Sequence, residues 1–262
     1  PLVITAPTHG RPVEPHGLRF RVAYALLAVV LGAAVGAFIV LMGRGSSSSG
    51  VAWSSWKPEG SDFVKTRDIA SVVGGQYRLA SGQQLVAVIP RIPPAVEPST
   101  QETPISHIAL AQSQAPEDIE VFSTDNSVEY VLCGIGSASG RCAIGEGKAT
   151  VQRARLLHRE SLELALYTFK YVDGVDSVVA LQPPKVGSNP TYALFFRKDD
   201  FEEELDHPLK QTLEGASPFT TGDFPVAQQA RVSQIVSPFL FRFSYQQAAD
   251  LSAVLVLTPL AA

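Results

Sequence analysis

Two cysteines are the residues whose type and spacing indicate the most definite chemistry. Cys133 and Cys142 are the only cysteines in the chain, and they bracket the glycine-rich stretch GIGSASGR. Two thiolates without a nearby histidine make a poor zinc site, and their spacing is not the CxxC of redox enzymes. We therefore predict a structural disulfide that joins the two arms of a hairpin loop and stabilises the fold by about 2–3 kcal/mol. A disulfide implies an oxidising compartment.

Three motifs in the same region resemble catalytic or nucleotide-binding signatures, and each lacks a required residue. Gly136–Gly140 has Ala138 where a hydrolase elbow needs serine. Gly140–Gly145 has the spacing of a phosphate-binding loop, but Glu146 follows where lysine is required. Ser139 stands where a dinucleotide-binding loop needs its third glycine. The glycines are therefore expected to serve the turn, and we predict no catalytic residue and no cofactor.

Histidines and carboxylates elsewhere are too scattered in sequence to form a recognisable site. His107, His158 and His207 are far apart, and none belongs to an HExxH motif. Residues 199–207 include six acidic side chains that could bind a divalent cation, but they lack the spacing and central glycine of a calcium loop. Acidic side chains also suit the first turn of a helix. We predict such a solvated helix start, with no metal.

Residues 22–42 predict a membrane span. The 21 residues from Val22 to Met42 carry no charged side chain, and about 20 apolar residues cross the hydrocarbon core as a helix. A cleaved signal peptide is the main alternative, but its apolar region should be roughly 7–15 residues long, with a cleavage site close behind. The best such site here, Gly50-Val51-Ala52, comes late. We therefore expect an uncleaved anchor.

The charge distribution predicts which side of the membrane each part occupies. Residues 1–44 contain four basic side chains and one acidic one, whereas residues 45–262 contain 17 basic and 24 acidic ones. Basic residues favour the cytoplasmic side, so we expect a cell-membrane protein with a cytoplasmic N-terminus and an outer C-terminal domain. The net charge of −7 on the outer part argues against nucleic-acid binding.

Small residues recur on one face of the predicted span. Ala28, Gly32 and Gly36 are spaced by four residues, and small side chains at that spacing let two membrane helices approach closely. This face is therefore a candidate contact of a homodimer. The alternative is that glycine and alanine are simply common in membrane helices.

The chain is therefore divided into a cytoplasmic tail at 1–21, the span at 22–42, a flexible tether at 43–60 and an outer domain at 61–262. The tether contains the stretch GRGSSSSG, whose composition is typical of flexible linkers. Trp53 and Trp56 follow it and are expected either at the lipid headgroups or packed on the domain.

The outer domain is predicted to be α+β, with a mostly antiparallel sheet packed on one long amphipathic helix. Helices are predicted at 61–73, 150–172, 199–205 and 208–213, the third starting with a capping box of Asp199 and Glu202. Strands are predicted at 76–79, 84–89, 105–111, 119–122, 128–132, 177–181, 192–197, 240–245 and 253–258. Five prolines predict a loop at 90–104. Hairpins are expected around Ser81-Gly82 and around 124–126.

The long helix at 150–172 has a wide apolar face at helical spacing. That face is formed by Leu157, Ser161, Leu164, Ala165, Thr168 and Val172, widened by Leu162, Leu166 and Phe169. Five charged residues predict the side that faces solvent: Arg153, Arg155, Arg159, Glu160 and Glu163. Arg159 and Glu163 are expected to form an exposed i,i+4 pair.

Several stretches of the chain resemble a family of uncharacterised single-pass membrane proteins of high-GC bacteria. They are ESLELALYTFKYVDGVDSVVALQPP, TYALFFRKDDFEEELDHPL, WSSWKPEG, YRLASGQQLVAV and the loop VLCGIG with RCAI, within residues 53–258. Arginine outnumbers lysine by 14 to 7, as in proteins of such genomes. The resemblance implies an anchor followed by a domain, and it implies no activity.

These observations favour an outer domain that binds protein partners in the cell envelope, as a protein-interaction or envelope-assembly module. Two alternatives stay open: an envelope enzyme whose site is built from dispersed residues, and a small-ligand sensor. A deep pocket containing a histidine or carboxylate of perturbed pKa would favour the enzyme.

Overall fold

A computed structural model describes residues 52–96, 103–113, 118–136, 142–215, 217 and 219–260. The predicted tail, the span and the small-residue face at Ala28, Gly32 and Gly36 lie outside these residues. Within them, no helix has the length and apolar character needed to cross a membrane. The described residues all belong to one compact unit, Ala52–Ala262.

Helices and strands alternate irregularly along this unit, which is α+β as predicted. The helices are α1 (Asp62–Gly74), α2 (Val151–Tyr171), α3 (Glu202–Asp206), α4 (Leu209–Thr212) and α5 (Val226–Val236), with 3-10 turns at Lys198–Phe201 and Ser237–Phe239. The strands are β1 (Tyr77–Arg78), β2 (Ala87–Arg91), β3 (Ala95–Val96), β4 (Thr103–Ala111), β5 (Ile119–Ser123), β6 (Ser127–Cys133), β7 (Ser177–Leu181), β8 (Tyr192–Arg197), β9 (Phe219–Thr220), β10 (Leu240–Gln247) and β11 (Ala253–Pro259).

Nine of these strands form one sheet that curls until it is nearly closed. Its order is β2-β6-β7-β8-β10-β11-β4-β3, and β5 also pairs with β4. Pairing within the sheet is antiparallel except at β6–β7 and β11–β4, so the predicted mostly antiparallel sheet is confirmed. The two end strands, β2 and β3, are joined by a short turn, across which Arg91 donates a hydrogen bond to the carbonyl oxygen of Ala95 at 2.7 Å.

The sheet buries apolar side chains on both faces, and β7 shows this most directly. All five of its residues, SVVAL, are buried. Val178 and Ala180 belong to the cluster under the helices, whereas Val179 and Leu181 belong to the cluster inside the curl of the sheet. Because successive side chains of a strand point to opposite faces, a strand covered on both faces is apolar throughout.

The long helix α2 covers the outer face of the sheet, as predicted. Leu164 on this helix is fully buried, and Thr168 is hydrogen-bonded to the hydroxyl of Tyr130 in β6 at 2.7 Å. The helix begins where the sequence predicts, because the hydroxyl of the N-cap residue Thr150 accepts a hydrogen bond from the backbone N–H of Arg153 at 3.2 Å.

Several local predictions are wrong. The expected hairpin around 124–126 does not form: β5 pairs with β4, and β6 pairs with β2 and β7. The expected capping box at Asp199 is absent, because residues 198–201 form a 3-10 turn and neither this turn nor α3 has a side-chain cap. The proline-rich segment predicted as loop contributes the end of β2 and β3, since proline is tolerated on strands at a sheet edge. The sequence predicts no helix or strand in the segment that forms α5.

The disulfide between Cys133 and Cys142 is formed as predicted. The two arms of its loop are also joined by backbone hydrogen bonds from Gly134 to Cys142 at 2.9 Å and from Glu146 to Ile135 at 3.0 Å. A side chain at Gly134 would clash, because an added Cβ atom would lie 2.2 Å from the carbonyl oxygen of Ala143. This close approach explains why glycine occupies that position.

Trp53 and Trp56, which the sequence assigns to the end of the tether, pack on the domain. The ring centroid of Trp53 lies 5.4 Å from that of Tyr167 and 5.6 Å from that of Tyr171, both in edge-to-face geometry. Its indole N–H donates to the carbonyl oxygen of Glu204 at 3.3 Å. Of the two alternatives for these tryptophans, the structure shows packing on the domain.

Candidate functional site

The histidines and acidic residues singled out in the sequence do not converge. His107 lies exposed on β4, and His207 is exposed after α3. The acidic stretch at 199–206 is largely exposed, and Asp200 is paired with Arg197. Within the described residues, no group of three or more histidine, cysteine or acidic residues could hold a metal ion. Of the three histidines, only His158 borders a cavity described below.

A cleft of about 610 Å³ opens beside the start of α2, and this cleft is the candidate site. Apolar side chains form much of its surface: Ile144, Ala149, Val151, Ala154, Leu157, Pro183, Pro184, Tyr192, Leu240 and Leu260. The polar side chains that line it are Thr150, Arg153, His158, Gln182, Lys185, Ser188, Asn189 and Thr191. A concave apolar surface with a few polar groups is typical of ligand sites of this volume.

One wall of the cleft is the connection between β7 and β8. Ile144 donates its backbone N–H to the carbonyl oxygen of Pro184 at 2.9 Å, which joins this connection to the segment after the disulfide. Gln182 donates a side-chain hydrogen bond to the hydroxyl of Ser161 on α2 at 3.0 Å. Beyond these anchored residues, Lys185, Ser188 and the rest of residues 185–192 are exposed. The wall is therefore fixed at its base and exposed at its rim.

The opposite wall is the first two turns of α2. The first N–H groups of a helix lack partners within the helix, and they carry a partial positive charge. Thr150 satisfies the N–H group of Arg153, and the first turn contains no acidic side chain. An unneutralised helix start therefore borders the cleft.

Arg153 adds a buried positive charge to this wall. Only 1% of its surface is exposed. Its guanidinium donates hydrogen bonds to the carbonyl oxygens of Glu146 and Leu85, the second at 2.9 Å. Its Nε has no hydrogen-bond partner among the described residues. Burial lowers the pKa of Arg153, but an arginine stays protonated in proteins. Both hydrogen-bond acceptors are uncharged carbonyls, and the carboxyl of Glu160 opposes the effect of burial by raising the pKa of Arg153.

His158 lies one turn further along α2 and lines the same cleft. Burial lowers its pKa to about 4, so its imidazole is neutral at pH 7. A neutral imidazole can accept a proton or a hydrogen bond. The sequence shows only that His158 is far from the other histidines, and the structure shows that it faces the cleft.

A second group of charged residues on α2 lies buried, contrary to the sequence prediction. Arg153, Arg159, Glu160 and Glu163 were expected to face solvent, yet each is at most 4% exposed. Arg159 donates to Glu163 at 3.2 Å and to the hydroxyl of Tyr77, and Tyr77 donates to Glu163. Arg159 and Glu163 are therefore part of a buried network. The prediction that they form an exposed pair is wrong.

The short parallel pair β1–β9 is the element that buries this network. Tyr77 of β1 and Phe219 of β9 are neighbours in that pair. The guanidinium carbon of Arg159 lies 3.7 Å from the ring centroid of Phe219, which is a cation–π contact. The spacing of the charged residues in the sequence correctly separates this side of α2 from the apolar face. It does not show that another element of the chain covers it.

Glu160 is the least satisfied member of this group. It is fully buried, and neither of its carboxyl oxygens has a hydrogen-bond partner among the described residues. Burial raises the pKa of Glu160 well above its usual value, Glu163 raises it further, and Arg153 opposes the rise. Burial therefore favours the neutral form of Glu160 relative to an exposed glutamate, because a buried carboxylate without hydrogen bonds is costly.

The cleft residues carry little sequence signal, because they come from segments far apart in the chain. Arg153 and His158 lie on α2, Lys185 and Tyr192 lie around the β7–β8 connection, and Leu240 begins β10. The sequence PPKVGSNP predicts only a connecting loop. The signal that could have been used is a helix start without acidic side chains in its first turn, close in sequence to the disulfide loop.

Comparison with models of known protein families, with curated proteins and with solved structures found no match to this chain. The functional argument therefore rests on the geometry of the cleft and on the sequence. The resemblance to uncharacterised single-pass membrane proteins stays a prediction from sequence.

Proposed function

We propose that this chain is a membrane-anchored protein of the cell envelope whose outer domain is a protein-interaction module. The partner inserts an extended peptide segment into the cleft beside the start of α2. The observation that carries the proposal is the cleft itself, about 610 Å³ in volume, with an apolar floor and an exposed polar rim. Its volume lies within the range of ligand pockets, roughly 300–1,000 Å³.

The polar rim favours a peptide over a purely apolar ligand. A peptide brings a backbone donor and acceptor with every residue, and these groups need partners when they leave water. Ser188, Asn189 and Thr191 offer exposed hydroxyl and amide groups at the rim. The apolar floor, which includes Leu157 and Leu240, offers room for side chains of the peptide. When a protein binds an extended peptide, hydrogen bonds to the peptide backbone give affinity and pockets for its side chains give specificity. The cleft offers groups for both.

The location of the domain outside the membrane is part of the same proposal. The disulfide is the structural feature that supports it, because disulfides persist in oxidising compartments. The charge bias around residues 22–42 supports it from the sequence. The face at Ala28, Gly32 and Gly36 would let two anchors pair, which would present two clefts to one partner.

In-cell photocrosslinking tests the proposal directly. A benzoylphenylalanine residue placed at Ser188 or Tyr192, at the rim of the cleft, should form an adduct with the same partner protein. The matched control is Asp125, an exposed residue on the turn between β5 and β6, at the far end of β7 from the cleft. No adduct at either rim position, or the same adduct with equal yield at Asp125, would count against the proposal.

A second candidate function is an enzyme, and His158 is the observation that favours it. Its imidazole lies in the cleft and is neutral at pH 7 because burial lowers its pKa to about 4, so it could act as a general base. Among the described residues, no hydroxyl or thiol is hydrogen-bonded to it, whereas nucleophilic catalysis needs such a contact. A fluorophosphonate or chromogenic-ester screen of the full chain, with His158→Ala as control, separates the two functions: binding predicts no turnover that depends on His158.

A further inference from the structure

We infer that the cleft recognises the free C-terminal carboxylate of its partner's chain. This inference rests on the proposed function and narrows it, because it specifies which segment of the partner enters. The observation behind it is the charge of the lining. Among the described residues that line the cleft, Arg153, His158 and Lys185 are basic, Tyr192 carries a phenol that is neutral at pH 7, and none is an aspartate or glutamate.

This lining contrasts with the rest of the outer part of the chain. Residues 45–262 contain 24 acidic and 17 basic side chains, so the lining of the cleft differs in sign of charge from this part of the chain as a whole. An anionic group that approaches the domain is repelled by most of its surface and attracted to the cleft. Such a distribution of charge guides both the position and the orientation of a ligand.

Three positive features contribute to the potential in the cleft. Arg153 is a buried cation whose hydrogen bonds go to uncharged carbonyls, and its Nε has no partner among the described residues. Lys185 is an exposed cation on the opposite wall. The start of α2, a helix of 21 residues, contributes the equivalent of about half a positive charge. The carboxyl of Glu160 acts on Arg153, but burial raises the pKa of that carboxyl well above its usual value and so disfavours its charged form.

The positive charge that a ligand can contact directly, as distinct from the buried charge of Arg153, suits a carboxylate better than a phosphate. His158 contributes no charge at pH 7, and Arg153 is already engaged by two carbonyl oxygens. Lys185 is therefore the one mobile cation among the described lining residues. One lysine with the N–H groups of a helix start matches a single negative charge, whereas a phosphate monoester carries about −1.5 to −2 at pH 7.

The apolar floor specifies what should precede the carboxylate. Ala154, Leu157, Pro183 and Leu240 line the cleft together with the polar groups. A peptide that ends in one or two apolar residues places their side chains on this floor while its carboxylate reaches the helix start. The carboxylate of a chain end differs from that of aspartate or glutamate, because an apolar side chain sits on the adjacent carbon atom.

The test compares peptide ends rather than assuming a known partner. The full chain, purified in detergent micelles, is used to select from two random heptapeptide libraries. One library is displayed with a free C-terminus, and the other carries the same heptapeptides followed by a fixed Gly-Ser tail. The most enriched peptide is then synthesised with a C-terminal carboxylate and with a C-terminal amide, and both are measured by fluorescence polarisation.

We expect enrichment from the free C-terminal library alone, and binding of the acid about tenfold tighter than of the amide, as for a hydrogen-bonded charge. Lys185→Gln should reduce that ratio to about threefold or less, and so should 0.5 M salt, because Lys185 is exposed. Lys210→Gln is the matched control, since Lys210 is exposed on α4 and does not line the cleft. It should leave the ratio unchanged.

The outcomes separate the two claims. Enrichment from both libraries, with equal affinity of acid and amide, would overturn recognition of the chain end and leave the interaction module standing. No enrichment from either library would overturn both. Enrichment from the free library that persists unchanged in Ala154→Trp, which fills the cleft, would place the carboxylate site elsewhere and overturn the inference.

Discussion

Tyr77 donates its phenolic hydrogen to a carboxylate oxygen of Glu163, although the two residues are 86 positions apart in the chain. Arg159 donates to both of them, so the three side chains form a closed network on the buried side of α2. The contact joins β1 to the long helix whose first turns form one wall of the cleft. Stability of the domain is therefore linked to charged residues that a helical pattern would place in water.

Removing the carboxylate of this network should be strongly destabilising. We expect Glu163→Ala to lower the free energy of unfolding by about 3 kcal/mol, because it leaves Arg159 buried without its counterion and Tyr77 without its acceptor. Urea unfolding followed by the fluorescence of Trp53 and Trp56, the only tryptophans of the chain, measures it. Glu202→Ala, at an exposed position of α3, is the control and should have little effect. Similar losses in both variants would mean that the network contributes nothing specific.

Glu160→Gln should raise the free energy of unfolding, whereas Glu163→Ala lowers it. The gain from Glu160→Gln should depend on pH. Burial raises the pKa of this carboxyl above its usual value of 4.5. Below pH 4.5 both the folded and the unfolded chain are protonated there, so Glu160→Gln and the wild type should differ little. As pH rises, the unfolded chain loses this proton and the folded chain keeps it. The wild type therefore loses up to about 1.4 kcal/mol of stability per pH unit, until the folded pKa is reached.

The measurement for Glu160 is the difference in unfolding free energy between Glu160→Gln and the wild type, taken from pH 4 to pH 8. It should increase with pH in favour of the variant. Glu202→Gln supplies the baseline for an exposed carboxyl. A difference that stays constant with pH would show that Glu160 is ionised in the folded protein.

The sequence predicts the main architecture because its signals are local. The apolar periodicity around Leu164 and the hydroxyl cap at Thr150 define α2, and alternation or continuous apolar runs define most strands. The surroundings of Arg159 and Glu163 are not local. Residues 159–169 are all buried, because the sheet covers one side of α2 while α1, α5 and the β1–β9 pair cover the others. Helical periodicity shows which residues are polar, and it does not show which of them acquire a covering strand.

The candidate site could be predicted from the sequence even less well than the burial of Arg159 and Glu163. Lys185 lies in a loop whose prolines and glycine predict only a connection, and Arg153 belongs to the charged side of α2. They share one cleft because β7 is antiparallel to β8 and the β7–β8 connection is anchored to the segment after the disulfide. That arrangement follows from strand order, which the sequence did not specify.

The disulfide and the orientation of the chain can be tested in intact cells with one reagent. A membrane-impermeant maleimide should leave Cys133 and Cys142 unlabelled until a reductant is added, and then label both, because the bond is formed and the domain is expected outside. Labelling without reductant would contradict the disulfide in cells. Labelling that requires lysis would contradict the outer location.

Pairing of the anchors is a prediction from sequence for residues outside the described ones. Gly32→Ile should lower a dimer signal in a membrane two-hybrid assay and leave expression unchanged, because isoleucine is apolar but holds the two backbones apart. Leu31→Ile, at a position off the small-residue face, is the matched control. A signal that survives Gly32→Ile would exclude this face as the contact.

The most direct test of the central claim, that the partner occupies the cleft, is the yield of the photocrosslink at Tyr192 when the cleft is filled. Ala154 is exposed on α2 and lines the cleft, whereas Gln152 is exposed on the same helix and does not. Ala154→Trp should reduce the crosslink about tenfold or more, as expected when an anchor pocket is blocked. Gln152→Trp should leave it within about twofold, with both variants folded by circular dichroism. An equal yield in the two variants would contradict a partner site in this cleft.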